Sequence, residues 1–280
     1  MIRIIEVGPR DGLQNEKAII PTERKVAFVD ALSQSGVNEI EVSAFVSPKW
    51  VPQLADADDV FRRIQRYPDI IYSALVPNEQ GLDRALEARV DKVSVFTAAS
   101  ETFNRKNINA SIVESIARFI PVIKRAKDAQ LIVRAYISTS FWCPFEGKIA
   151  PTKVLDVVRK LVDLGVDELS IGDTIGKASV SEVDALLEIV LPEVPAGQIA
   201  MHFHDTYGQA LDNVVASWKR GVAAFDASVG GLGGCPYAPG APGNVATEAV
   251  VERLASEGAQ IKVDRNALAR ARSLLANRVS

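Results

Sequence analysis

Apolar and polar positions along this chain follow two rhythms that alternate from one end to the other. Short runs with a two-residue period, rich in β-branched residues, predict strands at Ile2–Val7, Glu39–Ser43, Ile70–Val76, Lys92–Thr97, Leu131–Ser138, Glu168–Gly172, Ile199–His204 and Ala224–Val229. Longer stretches with helical spacing lie between them, at Thr22–Ser35, Ala55–Gln65, Glu79–Ala88, Ser111–Lys127, Pro151–Leu164, Ser179–Val190, Gly208–Arg220 and Val245–Glu257. Pro21-Thr22, Asn78-Glu79 and the capping-box pair Ser111 and Glu114 mark helix starts. Gly36, Gly165 and Gly221 mark helix ends. A strand–helix unit of roughly 30 residues therefore recurs along the chain. Eight such units predict a (β/α)8 TIM barrel, with a short C-terminal helical extension over Asp264–Arg278 packed on its outside. A doubly wound open sheet is the alternative. It usually has fewer strands and a glycine fingerprint after the first one, where this chain has Gly8-Pro9-Arg10-Asp11-Gly12. No linker or low-complexity segment interrupts the pattern, so residues 1–280 are expected to form a single catalytic domain.

Active sites on such barrels lie at the C-terminal ends of the strands, and the unusual polar residues fall there. Arg10 and Asp11 follow the first predicted strand, Glu41 lies at the end of the second, and Asp173 follows the sixth. His202 and His204 end the seventh, and the glycine-rich segment Gly230–Asn244 follows the eighth. The chain has only two histidines, and both are in this short stretch. Two apart on a strand, they point to the same side, and imidazole is the commonest metal ligand among side chains. Asp11 is either a turn residue or a third ligand. A shell of carboxylate, imidazoles and carbonyl oxygen suits Mg²⁺ or Mn²⁺ and also tolerates Zn²⁺. Arg10, beside that carboxylate, is placed to hold a carbonyl or enolate oxygen. Glu41 would be costly inside a barrel without a partner, and Arg10 is the obvious one. Asp173 either caps the next helix or acts in acid–base chemistry. Cys235, in the glycine-rich segment, is a candidate proton donor, whereas Cys143 fits a structural role.

Composition removes several classes of function. The net charge is −3, with basic and acidic residues interspersed, so no basic stripe addresses a nucleic acid or an anionic membrane. No apolar run reaches the ~18 residues of a membrane span, and the first residues lack the pattern of a signal peptide. The two cysteines form no CxxC pair, which favours a reducing, cytoplasmic compartment.

Seven ordered segments together resemble the 3-hydroxy-3-methylglutaryl-CoA lyases. They are EVGPRDGLQNE (6–16), FVSPKWVPQLAD (45–56), AASETFNRKNIN (98–109), CPFEGKI (143–149), GDTIG (172–176), HFHDTYGQAL (202–211) and GLGGCPYAPGAPGN (231–244). The resemblance implies cleavage of the acyl-CoA substrate to acetyl-CoA and acetoacetate with Mg²⁺ or Mn²⁺. It implies the ligands Asp11, His202, His204 and Asn244, a catalytic Cys235 and Arg10, a Glu41 that orients Arg10, and Asp173 in the acid–base machinery. It also implies a cytosolic homodimer with a role in leucine degradation and ketone-body chemistry. Lys17, Lys49 and Lys106 are either contacts for the anionic parts of CoA or ordinary surface lysines. The chain departs from the family's pattern at Pro239 and Pro242, often Gln and Ser there, at Ala44, commonly Ser, and at Trp142, usually Gly. These changes leave the metal set intact and open the acyl group to a related branched 3-hydroxyglutaryl thioester.

Three other functions compete. A Claisen synthase of the isopropylmalate or homocitrate type shares Arg-Asp and HxH but usually carries additional C-terminal sequence and lacks the GGCPY loop. An HxH metal hydrolase generally needs further histidines. A non-catalytic barrel predicts loss of the charged site residues, yet every expected position is filled.

Overall fold

The computed structural model describes residues 1–233 and 243–276. Ten strands occur among these residues: β1 Arg3–Glu6, β2 Glu39–Ala44, β3 Ile71–Leu75, β4 Lys92–Ala98, β5 Ile132–Ser138, β6 Trp142–Cys143, β7 Gly147–Lys148, β8 Glu168–Asp173, β9 Ile199–Phe203 and β10 Ala224–Ala227. Eight of them close a parallel barrel in the order β1-β10-β9-β8-β5-β4-β3-β2, while β6 and β7 form a small antiparallel hairpin after β5. Each predicted strand and helix has its counterpart. The three glycines expected to stop helices all adopt positive φ, the conformation a terminating turn requires. Apart from short helical turns, two elements were not expected among the described residues, the helix Glu101–Ile108 and the β6–β7 hairpin. The C-terminal helix Arg265–Ala276 lies outside the barrel, with Leu268 and Ala271 buried and Asp264 N–H bonded to Ser35 O at 2.7 Å.

The strands carry two kinds of surface because alternate side chains face the helices and the barrel axis. The outward pleat is aliphatic and aromatic, as in Ile4, Ile40, Val93, Val133, Leu169 and Phe225. The inward pleat is largely ionic. Lys92 Nζ meets Glu39 Oε2 at 2.5 Å and Glu168 Oε1 at 3.1 Å, and Arg134 Nη1 lies 3.4 Å from the same Glu168 oxygen. Buried charges persist only when paired in this way. The sheet has one irregularity that matters to the mouth. Its β2–β3 register shifts between Glu41 and Ser43, as at a β-bulge. Glu41 pairs with Ser73 before the shift, and Ala44 pairs with Leu75 after it. Ala44 and Leu75 then pack with Leu54 and Tyr136, while Val42 belongs to the outer core.

Candidate metal centre

The C-terminal end of β1 runs into a wide helical turn over Gly8–Gly12, in which Asp11 and Gly12 N–H both bond to Val7 O, at 2.7 and 3.2 Å. The buried carboxylate of Glu6 clasps this turn. It accepts Gly8 N–H at 2.8 Å, Val229 N–H at 3.0 Å and the Thr247 hydroxyl at 2.6 Å. The foot of the glycine-rich segment and the start of the last barrel helix are thereby tied to the turn that carries Arg10 and Asp11.

His202 lies on β9, and His204 sits just beyond it, bridged to Asn244. The expected convergence holds: ligand atoms of Asp11, His202 and His204 all lie within 4.8 Å of one another. Asn244 joins them through Nδ2, which donates to Asp11 Oδ2 at 2.8 Å and to Leu232 O at 3.0 Å. Both bonds use the amide nitrogen, so the carbonyl oxygen is the atom a cation would take. Gly233 allows this approach. A Cβ there would lie 2.8 Å from Asn244 Nδ2 and 3.2 Å from Asp11 O.

The electrostatics suit a divalent cation. Burial raises the Asp11 carboxyl, but Arg10, the two histidines and Asn244 outweigh it and hold the group at about 2. Burial and the neighbouring His202 lower His204 to about 4, leaving a neutral imidazole at physiological pH. Among the described residues the buried Nδ1 of His204 has no hydrogen-bond partner, an unusual expense for an interior polar atom. An anionic oxygen, two imidazoles and an amide oxygen make a donor set that fits Mg²⁺ or Mn²⁺.

Arg10 is fixed as expected. Its Nε donates to Glu41 Oε2 at 2.5 Å, and its Nη1 donates to Asp11 Oδ1 at 2.7 Å. Desolvation disfavours its charge, but Glu41 and Asp11 overcome that and keep it protonated. Burial pushes the Glu41 carboxyl up, against the pull of Arg10 and Arg134. Asp173, buried at the end of β8, accepts the backbone N–H groups of Lys177 and Ala178 at 3.1 and 2.9 Å. It thus caps the following turn. Burial, opposed by those two bonds, raises its carboxyl to about 6, which leaves it suited to proton transfer as well.

Other expected residues fall into place or outside the site. Cys235 lies outside the described residues, as do Pro239 and Pro242. Trp142 does not enter the site. Its indole N–H donates to Glu182 Oε2 at 3.2 Å, and Lys177 Nζ lies 4.0 Å from its ring centroid. Cys143 is buried against the Ser100 hydroxyl at 3.0 Å, a structural position. Lys106 lies over the Phe145 ring at 4.5 Å, on the helix that was not expected.

Three residues at the site were not foreseen. Asp226, on β10, lies 3.2 Å from His202 Nδ1. Arg134 binds both oxygens of Asp226. The Tyr136 ring lies 5.3 Å from the guanidinium of Arg10 and 4.7 Å from that of Arg134, and T-shaped to His202. The available signal was a charge in the middle of an apolar strand, which must find a partner across the barrel.

Residues 1–275 match the HMGL-like family. A Pseudomonas aeruginosa protein named 3-hydroxy-3-isohexenylglutaryl-CoA/hydroxy-methylglutaryl-CoA lyase is 51% identical over 95% of this chain and 89% of its own length. The crystal structure of an HMG-CoA lyase from Brucella melitensis superposes with a TM-score of 0.96 at 47% identity, covering 98% of this chain and 97% of that one. An Acinetobacter baumannii HMG-CoA lyase in complex with coenzyme A and 3-methylmalate gives a TM-score of 0.93 at 38% identity, over 99% and 90% of the two chains.

Proposed function

Because this chain belongs to the HMGL-like family, we propose that it is a divalent-metal-dependent carbon–carbon lyase that cleaves (S)-3-hydroxy-3-methylglutaryl-CoA to acetyl-CoA and acetoacetate. The observation that carries this reading is the meeting of Asp11, His202 and His204 beside the clamped guanidinium of Arg10. The names of the similar proteins support it, and the coenzyme A complex of one of them supports an acyl-CoA substrate.

Asp11, His202, His204 and Asn244 would hold the ion. A Mg²⁺ or Mn²⁺ ion bound there would supply Lewis-acid polarisation of substrate oxygens. Asp173, or a water it holds, takes the proton of the C3 hydroxyl. That oxygen becomes the ketone of acetoacetate as the C2–C3 bond breaks, and the electron pair passes to C2 of the departing thioester. Arg10, its Nε and Nη1 already engaged, donates to the enolate oxygen at no reorganisation cost. Glu41 keeps it aimed. Cys235 returns a proton to C2, completing acetyl-CoA.

A second substrate has specific support. The Pseudomonas relative's name includes a longer branch at C3, and Ala44 contributes only a methyl group to the apolar cluster with Leu75 and Tyr136. We therefore extend the reading to branched 3-hydroxyglutaryl thioesters. Among the described residues no helix is long and apolar enough to cross a membrane. The family resemblance supports a cytoplasmic homodimer, which sedimentation of the purified protein would check.

Acetoacetate release from 3-hydroxy-3-methylglutaryl-CoA, with Mg²⁺, with Mn²⁺ and with chelator, tests the main reading. Metal-dependent release is expected. Metal binding without release from this thioester, but with cleavage of its isohexenyl analogue, would move the substrate assignment to the longer branch. No cleavage of either would overturn the lyase reading.

A further inference from the structure

We propose that Asp226 is a positioning residue that locks His202 in the tautomer protonated at Nδ1, so that Nε2 is its only atom available to a cation. This inference rests on the metal reading above and adds the device that prepares one of its ligands. A neutral imidazole has one N–H and one lone pair, and the partner of one nitrogen decides the role of the other. The partner here is a carboxylate with strong partners of its own. Arg134 Nη2 donates to Asp226 Oδ1 at 2.5 Å and to Oδ2 at 2.7 Å, and the Ser170 hydroxyl donates to Oδ2 at 2.8 Å. A carboxylate held ionised in this way can only accept from His202 Nδ1, 3.2 Å away, so the proton must sit on that nitrogen.

The two histidines are therefore not equivalent. Among the described residues, Nδ1 of His204 is buried without a hydrogen-bond partner, and none selects its tautomer in the same way. His202 also inherits its position from rigid parts of the fold. Asp226 is on β10, Ser170 on β8 and Arg134 on β5, and Arg134 also reaches Glu168 in the ionic interior at 3.4 Å. One ligand is thus oriented by three barrel strands rather than by loops, the arrangement that most favours a preorganised site.

The chain's two histidines make the test simple. Histidine-selective ¹⁵N labelling of the metal-free protein gives two ring systems, assigned with a His204→Gln variant. Two-bond ¹⁵N–¹H correlations then report which nitrogen carries the proton. His202 is expected as a single species protonated at Nδ1. In Asp226→Asn the side-chain amide can donate to Nδ1, so His202 is expected to switch to protonation at Nε2. Mn²⁺ affinity, measured by calorimetry, is expected to fall about 10–100-fold, the usual cost of losing such a partner. A purely structural role for Asp226 would not reverse the tautomer. Should the variant fail to fold, the wild-type spectrum decides alone. A wild-type His202 protonated at Nε2, or an Asp226→Asn protein that keeps both tautomer and affinity, overturns the inference. Those results with normal Mn²⁺ uptake by the wild type leave the metal reading standing. No uptake by the wild type overturns both.

Discussion

Replacing Glu6 with Gln should make this protein more stable in mild alkali while leaving it unchanged in mild acid. Glu6 is fully buried, and desolvation outweighs its bonds from Thr247, Val229 and Gly8, raising its carboxyl to about 7. An unfolded chain would titrate the same group near 4.5. The native state therefore holds the proton more tightly than the unfolded state across this window. Stability contributed by the group is complete below about 4.5 and is lost as pH rises through about 7. A separation of that size corresponds to about 3 kcal/mol. Gln copies the protonated acid, because its oxygen can accept Gly8 and Val229 N–H while its NH₂ donates to the Thr247 hydroxyl. Urea unfolding of both proteins at pH 4 and pH 8, followed by tryptophan fluorescence, measures the effect. Asp173 and other groups contribute their own slopes, but these cancel in the difference between the two proteins. The variant is expected to match the wild type at the lower pH and to exceed it by about 3 kcal/mol at the higher one. A Gln variant that is less stable at pH 8 would refute the reasoning. Such a result would mean that three hydrogen bonds sustain an ionised Glu6 despite its burial.

Further outcomes are expected at the mouth. Gly233→Ala introduces a Cβ 2.8 Å from Asn244 Nδ2 at a φ of +98°. Calorimetry should show its Mn²⁺ affinity falling, while thermal unfolding shows a loss of only about 1–3 kcal/mol. His204→Ala should weaken metal uptake and acetoacetate release together, and a loss of release with normal uptake would contradict its place as a ligand. Cys235→Ala should retain the metal but lose about 10²–10⁴-fold in kcat, the range for a lost proton donor. Near-normal turnover would remove that role.

The barrel was legible because its strands must satisfy two environments at once. Apolar side chains toward the helices and polar ones toward the axis produce the alternation that marked every barrel strand. The helix Glu101–Ile108 escaped because its exposed face leaves little apolar periodicity, although Ser100 does cap it by accepting Phe103 N–H. The two-residue strands of the hairpin are too short to show any alternation. At the site, Asp11, His202 and His204 stood out by residue type and position, whereas Asn244 depended on the family resemblance. Asp226 and Arg134 carry the same signal as Glu41, a buried charge on a barrel strand that needs a partner across the axis. Which charge meets which depends on the shear of the closed barrel, and no local pattern encodes that pairing.

The register shift in β2 also changes how sequence differences at the mouth should be compared. Val42 and Ser43 both turn outward, so the inward positions jump from Glu41 directly to Ala44. The rim and the deeper carboxylate are thus out of phase with ordinary strand parity. Deleting Val42 would leave Glu41 opposite Ser73 and Ala44 opposite Leu75, with Ser43 alone turned outward between them. A chain one residue shorter here would keep the same side chains at the mouth, whereas counting strand parity through the bulge would assign Ser43 instead of Ala44 to the pocket wall.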